Sequence, residues 1–323
     1  MKHANLSIFI PHAGCKHRCS FCNQNRISGQ NQAPSVEDVY RMIQTCAESP
    51  THRADSAQIA FFGGSFTCIP RQQMIAYLEI ASKFVEKGDF QSIRISTRPD
   101  GIDDEILSIL KRYHVESIEL GAQSMIPSIL SRANRGHTVE DTVRAAKAVR
   151  QAGFTLGLQM LIGLPGDSKE LSMETAQKLA ALRPQEMRLY PIAVFPDTDL
   201  YREYVQGSYI PISPKEAVDW IVPIANYLKQ KNINLLRIGL HQADGAVAGA
   251  FHPAFGEMVK TGLFNLKLLP LLPPPPAKLT VQVQTNKLSV AIGQKRSNLE
   301  YWAKQGYQLR FTANEQTPDL VID

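Results

Sequence analysis

The sequence has few of the features that mark secreted, membrane or disordered proteins. Its 323 residues include only 5 cysteines, an odd number that argues against a framework of disulfide bonds. The N-terminus shows no basic segment followed by an apolar one, so no secretory signal is evident. The most apolar late stretch, residues 262–272, is short and is followed by prolines, so it does not read as a bilayer span. We therefore expect a cytoplasmic protein with no membrane association.

Composition and charge are those of an ordinary globular protein. Hydrophobic residues make up 44% of the chain and charged residues 20%, and a chain of this length buries a full core unaided. The net charge is +5 and the isoelectric point is near 8.9. This mild basic excess permits an anionic partner such as RNA but does not demonstrate one.

Short apolar runs alternate with longer stretches of helical period, which is typical of βαβ units around a parallel sheet. The predicted strands are residues 6–10, 58–62, 92–96, 117–121, 155–162 and 187–191. The predicted helices are residues 35–47, 71–86, 103–113, 139–152, 168–182 and 214–231. Six units are fewer than the eight of a closed barrel, so the pattern fits either an open (β/α)6 partial TIM barrel or a doubly wound sheet.

We expect three segments along the chain. Residues 1–240 form the barrel, residues 241–276 form an irregular barrel-closing segment with a proline-rich connector, and residues 277–323 form a small C-terminal α+β module. Within the module the order is strand, strand, helix, strand, at residues 279–284, 288–292, 298–305 and 308–312. Its aromatic residues fit a small core better than a base-stacking surface.

Three of the cysteines, Cys15, Cys19 and Cys22, follow the first predicted strand with the spacing C-x3-C-x2-C. Three thiolates this close can ligate three irons of a 4Fe-4S cluster, which leaves the fourth iron free to bind a substrate or cofactor. With His12 or His17 the same cysteines could instead form a structural Cys3His zinc site. The spacing alone leaves both interpretations open.

The C-x3-C-x-aromatic-C form of this motif resembles the signature of the radical S-adenosylmethionine (radical SAM) superfamily. The resemblance implies that Cys15, Cys19 and Cys22 hold a 4Fe-4S cluster and that the fourth iron binds S-adenosylmethionine (SAM). It also implies that one electron from the cluster cleaves SAM to give a 5′-deoxyadenosyl radical, which abstracts a hydrogen atom. The same resemblance favours the open (β/α)6 barrel over the doubly wound sheet.

Further motifs at the ends of later predicted strands agree with this resemblance. By analogy with the family, the Gly-Gly motif after strand two places the methionine amino group, and positions after strands three and four contact the ribose and the methionine carboxylate. Adenine lies on the element that ends strand five and meets main chain at strand six. The cofactor-contacting residues implied in this way are Gly63, Gly64, Ser65, Arg98, Gln123, Ser124, Arg135, Ile162, Gly163 and Tyr190.

Several strings, including FFGGSFT, STRPDGI and RGHT, resemble the branch of the superfamily that contains the catalytic subunit of Elongator, a tRNA-modifying enzyme. The chain looks like a bacterial relative without the acetyltransferase domain of that subunit. The resemblance implies a radical SAM enzyme with an external electron donor such as flavodoxin or ferredoxin, acting on an unidentified substrate for which tRNA is the leading hypothesis. The alternative is a non-catalytic RNA-binding protein with a zinc site.

Overall fold

The computed structural model describes residues 4–15, 17–29, 32–240, 245–315 and 320–322; positions 1–3, 16, 30–31, 241–244, 316–319 and 323 of the three expected segments lie outside the described residues. The β-strands are β1 (Ala4–Ile10), β2 (Ala57–Gly63), β3 (Ser92–Thr97), β4 (Val115–Gln123), β5 (Thr155–Ile162), β6 (Glu186–Pro191), β7 (Ala193–Val194), β8 (Asn234–Ile238), β9 (Ala248–Gly249), β10 (Ala277–Val283), β11 (Tyr307–Ala313) and β12 (Leu320–Ile322). The α-helices are α1 (Gln24–Ser28), α2 (Val36–Ala47), α3 (Arg71–Glu86), α4 (Asp104–Arg112), α5 (Pro127–Arg132), α6 (Val139–Gln151), α7 (Lys169–Ala181), α8 (Asp199–Val205), α9 (Pro214–Gln230), α10 (Phe255–Leu268), α11 (Leu288–Ile292) and α12 (Ser297–Lys304).

The main sheet has seven strands in the order β1-β2-β3-β4-β5-β6-β8, and every neighbouring pair is parallel. Strand order follows chain order, as it must when each strand is followed by a helical crossover to its neighbour. The sheet curls into a half-barrel, which confirms the partial TIM barrel. β8 adds a seventh strand that the sequence pattern did not predict.

Local capping fixes where the barrel helices begin and end. Ser35, Asp103 and Ser168 each accept a hydrogen bond from a main-chain amide in the first turn, which confirms them as N-caps. Gly88 and Gly153 have φ of +80° and +82°, and each lies just beyond the end of a helix. These signals set the length of each crossover and so keep successive strands parallel.

The two faces of the main sheet differ sharply in polarity. The outer face carries the hydrophobic core under the helices, with Ile8, Ile59, Ile93 and Ile118 fully buried there. The inner face, which we call the lumen, carries charged and amide side chains, because the two faces alternate along each strand. The lumen side chains include Gln58, Arg94, Glu119, Gln159, Glu186, Arg188 and Tyr190.

The C-terminal module is a three-stranded sheet in the order β11-β10-β12, with α11 and α12 packed on it. Trp302 and Tyr307 are buried with Phe264 and Leu268 of α10, which confirms an aromatic core. Two expectations are wrong. Residues 288–292 are the helix α11 rather than a strand, and residues 255–268, expected to be irregular, are the helix α10.

α10 forms because four of its large apolar residues face inward and because Gly262 lets it approach α9. A Cβ atom at Gly262 would lie 2.4 Å from Cγ2 of Val222 on α9. Within the described ranges, no helix is both long and apolar enough to cross a membrane.

Candidate active site

The three clustered cysteines lie on the loop that joins β1 to α1, at the end of the barrel formed by the carboxyl ends of the strands. We call described residues 11–15 and 17–23 the cysteine loop. Active sites of α/β barrels are built at this end because the βα-loops converge there. All three cysteines are free and only partly buried.

Main-chain hydrogen bonds hold the cysteine loop against three other parts of the barrel. Ser20 donates to the carbonyl of Ala133 at 3.0 Å and accepts from the amide of Leu200 at 2.8 Å, and the amide of Ser65 donates to the carbonyl of Ala13 at 2.8 Å. A loop fixed at several points changes shape little when a ligand binds, so the positions of the cysteines are preorganised.

Arg135 links the cysteine loop to the end of β4. Its Nη1 donates to Sγ of Cys19 at 3.1 Å, and its Nη2 donates to the carbonyl of Gly121 at 2.6 Å. The side chain is 7% exposed. This side chain therefore connects a cysteine of the loop directly to the end of a barrel strand.

The environment of the other two thiols opposes their ionisation. Burial, together with Cys19 and Cys15, raises the pKa of Cys22 to about 12. Burial and then Cys19 raise the pKa of Cys15, although Arg98 and Arg135 act in the opposite direction. Iron binds thiolates and displaces these protons, so cluster binding releases protons and is weakened by acid.

The two glycines after β2 pack against the cysteine loop. The amide of Gly64 donates to the carbonyl of Ile10 at 2.7 Å. A Cβ atom on Gly64 would lie 2.1 Å from the carbonyl oxygen of Ala13, so no larger residue fits. The structure thus brings the predicted Gly63–Gly64 motif and the cysteines together and gives it a steric role in shaping the loop.

Ser65 and Arg98 lie in a compact hydroxyl network beneath the cysteine loop. The Ser65 hydroxyl accepts from the amide of Arg98 at 3.0 Å and lies 3.0 Å from Oγ1 of Thr97. The guanidinium of Arg98 pairs with Asp100 at 2.8 Å and is only 5% exposed. Cys68 adjoins this network, with its Sγ 3.5 Å from the Ser65 hydroxyl.

Gln123, at the end of β4, presents an unused acceptor. Its φ is +65°, and its Oε1 is buried without a hydrogen-bond partner among the described residues. Nε of Arg135 is likewise a buried donor without a hydrogen-bond partner among the described residues. Buried polar atoms are normally satisfied, so the pair indicates a polar ligand. Ser124 instead contacts α7, through Thr175 at 3.3 Å.

The loop after β5 is held in a fixed turn around Gly163. The amide of Gly163 donates to Asp167 at 2.9 Å, the hydroxyl of Tyr209 donates to the carbonyl of Gly163 at 2.6 Å, and φ is +78°. Ile162 is fully buried in the core. Any contact of this element with a ligand therefore involves main chain and the loop rather than the Ile162 side chain.

Four charged side chains form a buried layer in the lumen below these motifs. We call Arg94, Glu119, Glu186 and Arg188 the ionic layer. Glu119 pairs with Arg94 at 3.0 Å and with Arg188 at 2.7 Å, and Arg94 pairs with Glu186 at 2.7 Å. Burial alone would raise the pKa of Glu119, but Arg188 and Arg94 outweigh it and hold that pKa below its ordinary value. Glu119 therefore stays ionised between its two arginine partners.

Tyr190 faces the lumen above the ionic layer, where its hydroxyl contacts Arg188. The Arg188 guanidinium also lies over the ring of Phe62, 5.2 Å from the ring centroid. The floor of the site is therefore charged, and one wall is aromatic.

Some residues that shape the site carry no motif that sequence inspection could use. The side-chain amide of Gln24 contacts the carbonyl of Gly63 and the amide of His12, and its backbone amide donates to Nε2 of His12 at 3.0 Å. A Cβ atom at Gly121 would lie 3.0 Å from Nε2 of Gln123, so glycine leaves room for that amide.

The residues present fit a 4Fe-4S cluster and SAM. Over the described part of the chain, no three histidine, cysteine or acidic side chains converge on a single metal ion. A cluster does not require such convergence, because each thiolate binds its own iron. The unused acceptor on Gln123 and the unused donor on Arg135 suit a ligand that carries both an amino and a carboxylate group, as SAM does.

Comparison with known proteins places this geometry in a family. The Radical SAM superfamily profile matches residues 9–179, just over half of the 323 residues, and the Radical_SAM C-terminal domain profile matches residues 184–264.

Two relatives from Methanocaldococcus jannaschii share only part of their length with the chain. An uncharacterized protein is 31% identical over 175 residues, 53% of each chain. A tRNA uridine(34) acetyltransferase is 28% identical over 166 residues, which is 50% of this chain and 30% of that protein. This chain thus matches about half or less of each relative.

A solved structure confirms the fold. Elp3 from the archaeon Methanocaldococcus infernus superposes with a TM-score of 0.67 at 22% identity, covering 82% of this chain and 63% of that one. Because the superfamily profile matches more than half of the residues, the chain belongs to the radical SAM superfamily, whose enzymes use a 4Fe-4S cluster and SAM.

Proposed function

We propose that Cys15, Cys19 and Cys22 hold the 4Fe-4S cluster and that the substrate reacts in the lumen directly below. The observation that supports this proposal is Arg135, which bridges Cys19 and β4; its Nε is a buried donor without a partner among the described residues, as Oε1 of Gln123 is a buried acceptor without one. The predicted contacts of Gly63, Ser65, Arg98, Ser124, Ile162, Gly163 and Tyr190 with SAM belong to the same proposal. When bound, the cluster and SAM supply a 5′-deoxyadenosyl radical.

The protein's own residues have three tasks in this proposal. Arg135 ties Cys19 to the end of β4 and places a donor next to the ligand. Gly63 and Gly64 let the cysteine loop pack close to β2. The ionic layer closes the bottom of the lumen with fixed charges, so a polar substrate meets a preorganised surface.

We further propose that the substrate is RNA, with tRNA as the leading form. Two observations support it: a relative that shares half of this chain is a tRNA uridine(34) acetyltransferase, and the chain carries a net charge of +5. An external reductant such as flavodoxin or ferredoxin would supply the electron.

The test is SAM cleavage by reconstituted, reduced protein with and without tRNA. The wild type should form 5′-deoxyadenosine, tRNA should increase the rate, and Cys19→Ala should abolish the product. Formation that tRNA leaves unchanged would argue against tRNA as the substrate. No product above the Cys19→Ala background in either condition would contradict the assignment of the cysteines.

A matched variant tests the role of Arg135. Arg135→Lys keeps the positive charge near Cys19 but cannot also reach Gly121 with the same planar fork. It should assemble the cluster but bind SAM less tightly than the wild type. Equal SAM affinity in the two proteins would show that the guanidinium does not contact the cofactor.

A further inference from the structure

Two arginines stand side by side on neighbouring strands in the lumen. Arg188 of β6 and Arg237 of β8 are register partners. Adjacent like charges destabilise a sheet unless each is compensated. Their juxtaposition therefore needs an explanation that the fold alone does not supply.

Among the described residues, only one of the two arginines has a carboxylate partner. Arg188 donates to both carboxylate oxygens of Glu119, at 2.7 and 3.1 Å. Arg237 donates through Nε to the carbonyl of Gly239 at 3.2 Å. In the described ranges no carboxylate pairs with Arg237.

The charge count of the lumen leaves a surplus at Arg237. The ionic layer contains two arginines and two glutamates and is neutral. Arg237 adds one positive charge at the edge of this layer and is half-buried. An uncompensated cation in a partly enclosed site attracts anions.

The surroundings of the arginine pair suit a planar group next to the anion. Tyr190 lies close to Arg237. Burial raises the pKa of Tyr190, and the nearby charge of Arg237 opposes this rise. Phe62, which stacks on Arg188, is the register partner of Phe9 on β1. Aromatic rings of this kind accept stacked bases.

We propose that Arg237, which lies beside Arg188 and Tyr190, binds the phosphoryl group of a nucleotide unit of the substrate in the lumen. The inference rests on the proposed function only in that the substrate is a nucleic acid. Arg237 supplies the free guanidinium, and Arg188 is a positioning residue held by Glu119. Phosphate suits the paired donors of a guanidinium.

The probes are uridine 5′-monophosphate and uridine, which differ only in the phosphoryl group. Equilibrium dialysis would use protein with its cluster and SAM bound, at low salt. The wild type should bind the monophosphate more tightly than uridine. Arg237→Gln should lose about tenfold in monophosphate affinity, about 1.4 kcal/mol, with uridine affinity unchanged.

Two further variants separate a binding role from a structural one. Arg237→Lys retains the charge and should recover part of the lost affinity. Arg112→Gln removes an exposed arginine on the outside of α4 and should leave both affinities unchanged. Thermal unfolding of each variant would check that the fold is intact.

The proposal is wrong if Arg237→Gln, folded, binds the monophosphate as tightly as the wild type. It is equally wrong if the wild type shows no preference for the monophosphate, including no measurable binding of either probe. tRNA-stimulated SAM cleavage together with either result would leave the proposed function standing and remove only this subsite. Conversely, a phosphate preference that depends on Arg237, without stimulation by tRNA, would retain the subsite and reject tRNA.

Discussion

Replacing Glu119 with glutamine should strongly destabilise the barrel, because it removes one of the two anions of the ionic layer. Glu119 is 1% exposed and pairs with both arginines of that layer. After Glu119→Gln, Arg94 keeps Glu186, but Arg188 loses its carboxylate partner in the layer, so one buried guanidinium is left uncompensated.

The magnitude follows from the burial of each partner. Breaking a buried ion pair by removing one partner costs about 3–5 kcal/mol. Arg188 is 13% exposed and can recover some hydration, which places the expected loss near the lower limit, about 3 kcal/mol. The exposed pair of Arg144, whose side chain is 65% exposed, offers a matched control. Arg144→Gln should cost no more than about 1 kcal/mol.

Urea denaturation followed by circular dichroism measures both variants. The double variant Glu119→Gln with Arg188→Gln should be less destabilised than the sum of the single changes, because the stranded charge is gone. A loss below about 1 kcal/mol for Glu119→Gln, or strict additivity in the double variant, would refute the reasoning.

Three further predictions concern pH and loop shape. The depressed pKa of Glu119 contributes stability that is present above its ordinary value of 4.5 and is lost as pH falls through the folded pKa; Glu119→Gln should therefore flatten stability against pH in that acidic range. Burial and then Arg135 lower the pKa of His137 from 6.5 to about 4. The stability that the neutral imidazole contributes is therefore complete above pH 6.5, and up to about 3 kcal/mol of it is lost as the pH falls to about 4. Urea titrations of His137→Gln should not show this loss. Gly64→Ala should lose most of its iron on reconstitution because its methyl group meets the cysteine loop, whereas Gly88→Ala, which has open space around its Cβ position, should keep a full iron content in the same assay.

Much of the barrel could be predicted because its determinants are local. Hydrophobic period and capping residues act within one element, and the helices capped by Ser35, Asp103 and Ser168 begin where the sequence indicates. The cysteine spacing is equally local. These features need no knowledge of which strands are neighbours.

The errors occur where tertiary contact decides. Residues 288–292 form so short an apolar run that the spacing of their apolar residues cannot distinguish a strand from a helix. In the structure they form a helix that Gly293 caps at its C-terminal end. α10 contains Gly256 and Gly262, which weaken a helical pattern in isolation. Contact of Gly262 with α9 reverses that local preference.

The central features of the site depend on register, which the sequence alone does not specify. Arg135 reaches Cys19 across 116 positions of chain. Arg188 meets Arg237 only because a register shift between Met187 and Arg188 moves the pairing by one residue. Such juxtapositions follow from the assembled sheet.

The most direct test of the account is anaerobic iron, sulfide and zinc analysis with electron paramagnetic resonance of the reduced protein. The account predicts about four irons and four sulfides per chain, a cluster signal that changes when SAM is added, and loss of that signal in Cys19→Ala. Stoichiometric zinc without iron, after expression in iron-replete medium, would contradict it.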